Sequence, residues 1–423
     1  MTCYHSRRAF CTCHGSPVRP SLSQHPAPAG GGPPLPHARR PVTVLQVLPQ
    51  LETGGVERET IEIAAAQAAA GYRALVASFG GRMVAELESV GAQHVRLPVH
   101  SKNPLVMAAN VGRLVRLIEA ENVDIVHARS RAPAWPTLAA ARRTHTPFVT
   151  TFHGTYSTHN PLIRFYNSVM VRGDRVIAVS EFIGEHIRRH YRVDPQRIVV
   201  IPRGVDVVEY CAADVGADRV AVWQEKWRLP AGKKIVILPG RLTRWKGQVV
   251  MLEALAKLDR ADLACVLVGS DQGRRQYTAE LRKLAERLGI QDRVIIPGEC
   301  SDMPASYLLA DVVVSASTDP EAFGRVIAEG QAMGRPVIGT AHGGGKEIVA
   351  PGTGWLVPPG DPQALAQAIT EVLNLNAAAL ARLGERAAAN VRERFNLTNM
   401  CSQTLALYES MIEAHGHHGP SSG

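Results

Sequence analysis

The chain has 423 residues, 45% of them hydrophobic, and a net charge of +9, which is an ordinary composition for a globular protein of two or three domains. Five arginines and no acid lie within residues 1–40, so more than half of the net charge belongs to that segment. The remainder lacks the basic excess of a nucleic-acid-binding protein, although the charge allows weak attraction to an anionic membrane surface.

Two further features bear on the compartment. The sequence contains no run of about 18 apolar residues and no secretory leader, so we expect neither a membrane span nor export. Its seven cysteines show no paired spacing, which favours a reducing cytoplasm. Cys11, Cys13 and His14 form a cluster of soft ligands, but such clusters in polar tails are more often incidental than metal sites.

Strands and helices alternate after the first 40 residues. Residues 1–40 lack hydrophobic periodicity and predict a disordered tail. Strands are predicted at 42–48, 74–79, 95–97, 124–128, 148–152, 175–179 and 198–202. Helices are predicted at 57–70, 82–90, 104–121, 133–143, 160–171 and 181–191. This alternation indicates a doubly wound parallel sheet over residues 41–205.

A stretch at 206–230 interrupts the rhythm and predicts a linker, after which a second α/β domain covers 231–395. Its strands are predicted at 234–240, 263–270, 293–298, 311–317, 336–340 and 355–357. Its helices are predicted at 247–259, 276–288, 362–373 and 377–393, with another that contains Glu329. A helix at 396–413 is expected to pack back toward the first domain, and 414–423 is expected to be a disordered tail. The two domains then face each other across a cleft lined by strand ends.

The loop after residue 239 predicts a binding site for a diphosphate. In Gly-Arg-Leu-Thr-Arg-Trp-Lys-Gly, Arg241 and Lys246 bracket a turn that opens a helix. Fixed cations and helix N–H groups can neutralise a diphosphate without a metal. The spacing matches neither a P-loop nor a dinucleotide fingerprint. No Asp-x-Asp pair occurs in the sequence, so no metal is expected.

Strand ends of the first half also carry polar groups. Gly54 and Gly55 open a helix and suit an anion, although a simple turn explains them equally well. Arg129 and Arg131 can hold a phosphate or carboxylate, or they lie on a solvated loop. His153 ends another strand and is either a cleft residue or a structural histidine.

The segment 319–347 places acids beside glycine loops. Glu321 precedes a largely apolar helix, and Glu329 lies within it, where a lone carboxylate is costly without hydrogen bonds. Gly343–Gly345 follow the next strand and bring bare backbone N–H groups nearby. These features predict a nucleotide-binding crevice or, alternatively, a core helix with one satisfied glutamate.

Taken together, these segments resemble glycosyltransferase family 4, the retaining GT-B enzymes that use nucleotide-sugar donors. The resemblance spans about residues 42–410 and rests on GGVE (54–57), TFHG (151–154), VIAVSE (176–181), VIPRGVD (200–206), GRLTRWKG (240–247), PEAFGRVIAEG (320–330) and GGGKE (343–347). It implies a GT-B fold of two Rossmann-like domains, with the acceptor bound by the first and the donor by the second.

The resemblance also implies roles for single residues. Arg241 and Lys246 would neutralise the donor diphosphate, Glu321 would orient the sugar, and His153 would lie beside the reacting carbon, which makes these four the catalytic candidates. The implied donor-binding residues are Gly54, Gly55, Val268, Gly269, Gly298, Glu299, Phe323, Gly324, Arg325 and Glu329. Arg129 and Arg131 are the candidate acceptor-binding residues. Two departures from the family are Arg203, where asparagine is frequent, and Gly345-Lys346, where a proline is common.

The implied activity is retaining transfer of a hexose-type sugar from a UDP-, GDP- or ADP-linked donor to a saccharide or lipid-linked acceptor. We expect a cytoplasmic enzyme at or near the inner membrane face, acting in lipopolysaccharide or other envelope polysaccharide assembly. No cofactor and no nucleic-acid partner are expected. The alternatives are a nucleotide-sugar epimerase or phosphorylase of the same architecture, and a non-catalytic saccharide- or nucleotide-binding protein.

Overall fold

The structure is a computed structural model that describes residues 40–156 and 160–416. The predicted N-terminal tail therefore lies outside the described residues except for Arg40. The predicted C-terminal tail is described only at Ala414–Gly416, which form the last turn of a helix.

Seven parallel strands form the first sheet, in the order β3-β2-β1-β4-β5-β6-β7. They are β1 Thr43–Val47, β2 Arg73–Ser78, β3 Gln93–Arg96, β4 Ile125–Ala128, β5 Phe148–Phe152, β6 Arg175–Ala178 and β7 Ile198–Val200. The order reverses between β1 and β4, and α/β folds bind ligands at such a switch point.

Six α-helices connect these strands. They are α1 Gly55–Ala69, α2 Val84–Ser89, α3 Pro104–Ala120, α4 Arg131–Arg143, α5 Pro161–Asn167 and α6 Glu181–His190. The helix predicted at 160–171 is α-helical only as far as Asn167 and continues as a 3₁₀ turn over Ser168–Val171.

Six parallel strands form the second sheet, in the order β10-β9-β8-β11-β12-β13. They are β8 Lys234–Pro239, β9 Leu263–Val268, β10 Val294–Gly298, β11 Val312–Ser315, β12 Val337–Thr340 and β13 Trp355–Val357. Here the order reverses between β8 and β11. The two sheets confirm the predicted pair of doubly wound α/β units.

Nine helices of the described chain follow the first sheet. They are α7 Ala217–Lys226, α8 Gln248–Ala256, α9 Arg275–Arg287, α10 Met303–Leu308, α11 Arg325–Ala332, α12 Gly345–Ile348, α13 Pro362–Leu373, α14 Ala377–Arg394 and α15 Leu397–Gly416. Three of them, α7, α10 and α12, were not predicted. The first lies within the expected linker, where Trp223 and Trp227 are buried in the core beneath the second sheet.

The last helix, α15, packs on the first sheet rather than the second. Its residues Met400, Tyr408 and Met411 share a buried cluster with Val44 of β1 and Ile177 of β6. The chain thus crosses from the first α/β unit to the second and back again.

None of the described helices alone has the length and apolar character to cross a bilayer. Helices α13 and α14, which meet at a bend of 112°, have that length and character only when they are taken together.

Candidate active site

The carboxyl ends of strands from both sheets meet at one place. The Ser180 hydroxyl, at the end of β6, donates a 2.6 Å hydrogen bond to the Ala322 carbonyl, which follows β11. The Glu347 carboxylate of α12 accepts from the first two backbone N–H groups of α6, Glu181 N at 3.0 Å and Phe182 N at 2.6 Å. Two of the predicted sequence segments, VIAVSE and GGGKE, therefore contact each other across the two α/β units.

Lys246 and Glu321 form an ion pair at the strand ends of the second sheet. Lys246 Nζ lies 2.8 Å from Glu321 Oε1, and their side chains are only 12% and 15% exposed. Lys246 is in the turn after β8 and Glu321 is in the loop after β11, two strands that are neighbours in the sheet. The pairing brings together two residues that the sequence separates by 75 positions.

Hydroxyl groups complete the surroundings of Glu321. Ser317 Oγ donates to Glu321 Oε1, and Ser315 Oγ lies 3.3 Å from the same oxygen. Burial alone would raise the pKa of Glu321, but the Lys246 charge and these hydrogen bonds outweigh burial and lower it. Glu321 is therefore ionised at neutral pH and can accept hydrogen bonds from sugar hydroxyls.

The glycine loop after β12 supports the loop that carries Glu321. Gly344 N donates to the Glu321 carbonyl at 2.8 Å. Gly324 has φ +107°, and a Cβ there would lie 2.8 Å from Gly345 Cα, so both the backbone angle and the close approach require glycine. Phe323 is buried beside it, and Lys346 is exposed.

Glu329 is buried inside α11 but has two partners. Tyr307 OH donates to Glu329 Oε2 at 2.8 Å, and Arg325 Nε donates to Glu329 Oε1 at 2.8 Å. These hydrogen bonds offset the free-energy cost of burying a carboxylate that is only 6% exposed. Each carboxylate oxygen has a second lone pair, so Glu329 can still accept from a ligand.

The ends of β8, β9 and β10 form a shared backbone platform. Gly240 N donates to the Val268 carbonyl, and Gly269 N donates to the Gly298 carbonyl, both at 2.8 Å. A Cβ at Gly269 would lie 2.0 Å from the Gly240 oxygen, so this contact requires glycine. Arg241 and Glu299 are exposed at the edge of this platform.

On the other side of the cleft, four charged or titratable side chains form a buried cluster. Glu59 of α1 accepts a hydrogen bond from Arg129 Nη2 at 2.6 Å and forms an ion pair with Arg203 Nε at 2.8 Å. His153 Nδ1 lies 3.6 Å from Glu59 Oε2, and neither ring nitrogen of His153 has a hydrogen-bond partner among the described residues. Arg203 also donates to the Gly55 carbonyl and so holds the start of α1.

The charges of this cluster set its protonation states. Burial alone would raise the pKa of Glu59, but Arg129, Arg203 and His153 lower it to about 2. Burial, reinforced by the two arginines, lowers the pKa of His153 to about 3 despite the attraction of Glu59. His153 is therefore a neutral imidazole at physiological pH and offers a hydrogen bond rather than a charge.

The two predicted acceptor arginines have different surroundings. Arg129 is 1% exposed, and Glu59 already matches its charge, so in this conformation it cannot present a guanidinium to an acceptor. Arg131 opens α4, where it stacks on the Tyr156 ring at 4.3 Å, donates to Asn167 Oδ1 at 3.0 Å, and has no carboxylate partner among the described residues. In the structure Arg129 therefore supports Glu59 instead of facing an acceptor, and Arg131 is the remaining acceptor candidate.

No group of three or more His, Cys, Asp or Glu side chains in the described chain has an arrangement suited to a metal ion. The Cys11, Cys13 and His14 cluster lies outside the described residues.

Comparison with known proteins now gives the family. Residues 53–209 match the model for Glycosyltransferase Family 4, and residues 220–390 match Glycosyl transferases group 1. A D-inositol 3-phosphate glycosyltransferase of Streptomyces avermitilis is 31% identical over 322 residues, which make up 70% of this chain and 68% of that protein. The chain belongs to the family 4 glycosyltransferases.

Other relatives agree with this assignment. A protein of the same name from Corynebacterium glutamicum is 33% identical over 248 residues, covering 56% of this chain and only 58% of that protein. A glycosyltransferase structure from Rickettsia africae has a TM-score of 0.82 and 38% identity, covering 88% of this chain and 99% of the other. HepE of Anabaena, solved with UDP and glucose, has a TM-score of 0.76 and 26% identity over 87% and 99% of the two chains. These neighbours confirm the predicted GT-B fold.

Sequence reasoning about this glycosyltransferase missed Glu59, Tyr307, Ser315 and Ser317. Glu59 stands two residues after the GGVE segment, and Tyr307 belongs to the unpredicted helix α10. A buried acid in α1 requires a cationic partner. Arg129 and Arg203, which follow strands of the same sheet, could therefore have indicated Glu59. Nothing local in the sequence marks Tyr307 as a partner of Glu329.

The depressed pKa of His153 predicts a specific acid sensitivity. In the unfolded glycosyltransferase this histidine titrates near its ordinary value of 6.5, whereas in the folded state it titrates near 3. As the pH falls below 6.5, the unfolded state binds the proton first, so stability is present above 6.5 and is lost toward 3. His153→Asn should therefore lose about 2 to 3 kcal/mol less unfolding free energy than the wild type between neutral pH and about pH 4.5.

Urea unfolding at a series of pH values measures this difference. Parallel pH profiles for the two proteins would contradict a buried neutral His153.

Proposed function

We propose that this glycosyltransferase transfers a sugar, with retention of its anomeric configuration, from a UDP-sugar to an acceptor that carries an anionic group. The observation that supports the proposal most strongly is the Lys246–Glu321 ion pair at the switch point of the second sheet. The neighbouring Glu329, held by Tyr307 and Arg325, supports a nucleoside site on the same edge.

The nucleoside half of the donor is assigned to the platform and to Glu329. The base would lie against the strand ends around Val268–Ser270 and Gly298–Cys300, and the ribose hydroxyls would donate to Glu329. The HepE structures with UDP and with UDP-glucose support uridine as the base. Glu329 keeps the lone pairs this contact needs, because its present partners use one position on each oxygen.

The diphosphate half is assigned to Arg241 and Lys246. When the donor binds, Lys246 leaves the Glu321 carboxylate and pairs with a β-phosphate oxygen. Glu321 then becomes free to accept hydrogen bonds from the sugar hydroxyls. Lys246 then stabilises the negative charge that grows on the leaving diphosphate. Neither side chain is left buried and unpaired during the exchange, which would otherwise cost several kcal/mol.

Retention fits a front-face displacement. The bond between the anomeric carbon and the β-phosphate oxygen breaks, the acceptor oxygen bonds to the same face, and its proton passes to the leaving phosphate. A double displacement would need a nucleophilic carboxylate on the acceptor side. The acid that lies next to His153 is Glu59, and Arg129 and Arg203 already engage it. His153 would contribute a hydrogen bond to the sugar or acceptor.

The acceptor is assigned by charge. Arg131 has no carboxylate partner in the described chain and lies next to the His153–Tyr156 segment. A phosphate or carboxylate on a saccharide, polyol or lipid-linked acceptor would complement it. The relatives named D-inositol 3-phosphate glycosyltransferase support a phosphorylated acceptor. A role in envelope polysaccharide or lipopolysaccharide assembly stays a hypothesis.

Substitutions in the ion pair test the donor assignment. Lys246→Ala should lower kcat/KM about 100-fold, equivalent to roughly 3 kcal/mol, because it removes a cation from the leaving group. Arg241→Ala should cost a similar amount. Glu321→Gln should bind UDP more tightly than the wild type, since Lys246 is no longer engaged, yet it should turn over the UDP-sugar poorly.

Lys234→Ala is the matched control. Lys234 forms a 2.9 Å ion pair with Asp311 at the amino end of β8, whereas Lys246 follows the carboxyl end of that strand. Near-normal turnover in both Lys246→Ala and Arg241→Ala would contradict the assignment. Release of an altered free sugar from donor alone would indicate an epimerase instead.

The acceptor assignment predicts a separate effect. Arg131→Ala should raise KM for an anionic acceptor at least tenfold and leave KM for the donor unchanged, because the loss of one charge-assisted hydrogen bond costs about 1.5 to 3 kcal/mol. Arg131→Lys should recover part of the affinity. An acceptor KM that does not change, measured by initial rates at saturating donor, would rule out this contact.

A further inference from the structure

A group of arginines lies around helix α5 and the residues that precede strands β5, β6 and β7 of the first sheet. Two cavities of about 780 and 550 Å³ share Arg142, Arg172 and Arg197 in their walls. The larger cavity adds Arg175, and the smaller adds Arg164 and Arg192. We call these six residues the arginine surface. Several of its wall residues precede strands β5, β6 and β7, whereas the candidate site lies where strands end.

Within the described residues, no carboxylate pairs with the arginine surface. None of the six arginines forms an ion pair with a carboxylate of the described residues. Among the wall residues of both cavities the one acid is Asp174, which accepts a hydrogen bond from Phe148 N at 2.8 Å.

Two arginines of the group are held in place. Arg172 lies over the Trp135 ring at 5.0 Å and over the Phe165 ring at 5.5 Å, and Arg197 donates to the Gly173 carbonyl. Like charges fixed close together repel one another, so an anionic partner gains from binding them.

Exposed apolar side chains adjoin the arginine surface. On α5, Leu162 is 79% exposed, Ile163 is 44% exposed and Phe165 is 59% exposed, with Arg164 between them. A soluble polyanion needs only the charges. A bilayer with anionic headgroups matches both features, because apolar side chains enter the acyl boundary while arginines stay with the phosphates.

From this combination we propose that the arginine surface and the apolar residues of α5 dock the protein on an anionic lipid bilayer. The amphipathic pattern of α3 also allows contact with a membrane surface, although such a helix more often packs on its own sheet. In the structure α3 buries Leu114 and Ile118 in the core and leaves Leu105 exposed. None of the six arginines and none of the three apolar residues of α5 is an assigned donor or acceptor residue, although Asn167 at the end of α5 accepts a hydrogen bond from Arg131 at 3.0 Å.

Vesicle co-sedimentation of the full chain tests the proposal. The wild type should bind vesicles of phosphatidylcholine mixed with phosphatidylglycerol and should not bind phosphatidylcholine alone. Arg142→Ser/Arg164→Ser/Arg192→Ser should weaken binding about 100-fold, since each arginine near an anionic surface contributes about fivefold. All three are exposed and unpaired in the described chain, so their loss spares the core.

Two controls separate this surface from others. Arg282→Ser/Lys283→Ser/Arg287→Ser makes the same change in net charge on exposed positions of α9 and should bind like the wild type. Leu162→Ser/Ile163→Ser should weaken binding, whereas Leu105→Ser on α3 should not.

Equal binding by the two triple variants would overturn the proposal. Wild-type binding by Leu162→Ser/Ile163→Ser, together with displacement by inorganic phosphate at constant ionic strength, would indicate a soluble phosphate site instead. Turnover of a UDP-sugar without vesicles reports the proposed function separately, and it should be the same for the wild type and all of these variants.

Discussion

The ion pair between Lys246 and Glu321 is the constraint on which the donor side of the structure depends. It joins the turns after β8 and β11, the two strands at which the order of the second sheet reverses. Both side chains are nearly buried, and a bare charge there would be costly, so each needs a partner at every stage. In the proposed function, a diphosphate takes the place of Glu321 beside the lysine, and sugar hydroxyls take the place of Lys246 beside the glutamate, so neither buried charge loses its partner.

The first α/β unit also pairs its buried charges, but there the partners come from within the protein. Glu59 is matched by Arg129 and Arg203, so its charge is used within the protein, and the adjacent His153 stays neutral. The loop that carries Glu321 also contacts the first unit, because Ala322 accepts the hydrogen bond from Ser180. The position of Glu321 therefore depends on the contact between the two α/β units.

Much of the fold could be predicted because buried parallel strands are continuous apolar runs in the sequence, and several of them end at a glycine that begins a turn. Helices of four to six residues carry little periodicity, and of the three such helices α10 and α12 were missed whereas α2 was predicted. Arg129 and Arg131 show a sharper limit. Arg129 N still pairs with the Val47 carbonyl beside β1, and its side chain is buried, whereas Arg131 opens a helix and is half-buried. Partners 70 positions apart, such as Arg129 and Glu59, decide that difference, and local pattern does not reveal them.

The central claim is that the diphosphate displaces Glu321 from Lys246. The most direct measurement is a crystal structure with a slowly reacting UDP-2-fluoro sugar. We predict that Lys246 Nζ lies about 2.7 to 2.9 Å from a β-phosphate oxygen and that Glu321 accepts from a sugar hydroxyl. A complex in which the Lys246–Glu321 pair persists at 2.8 Å while the diphosphate binds elsewhere would contradict the account.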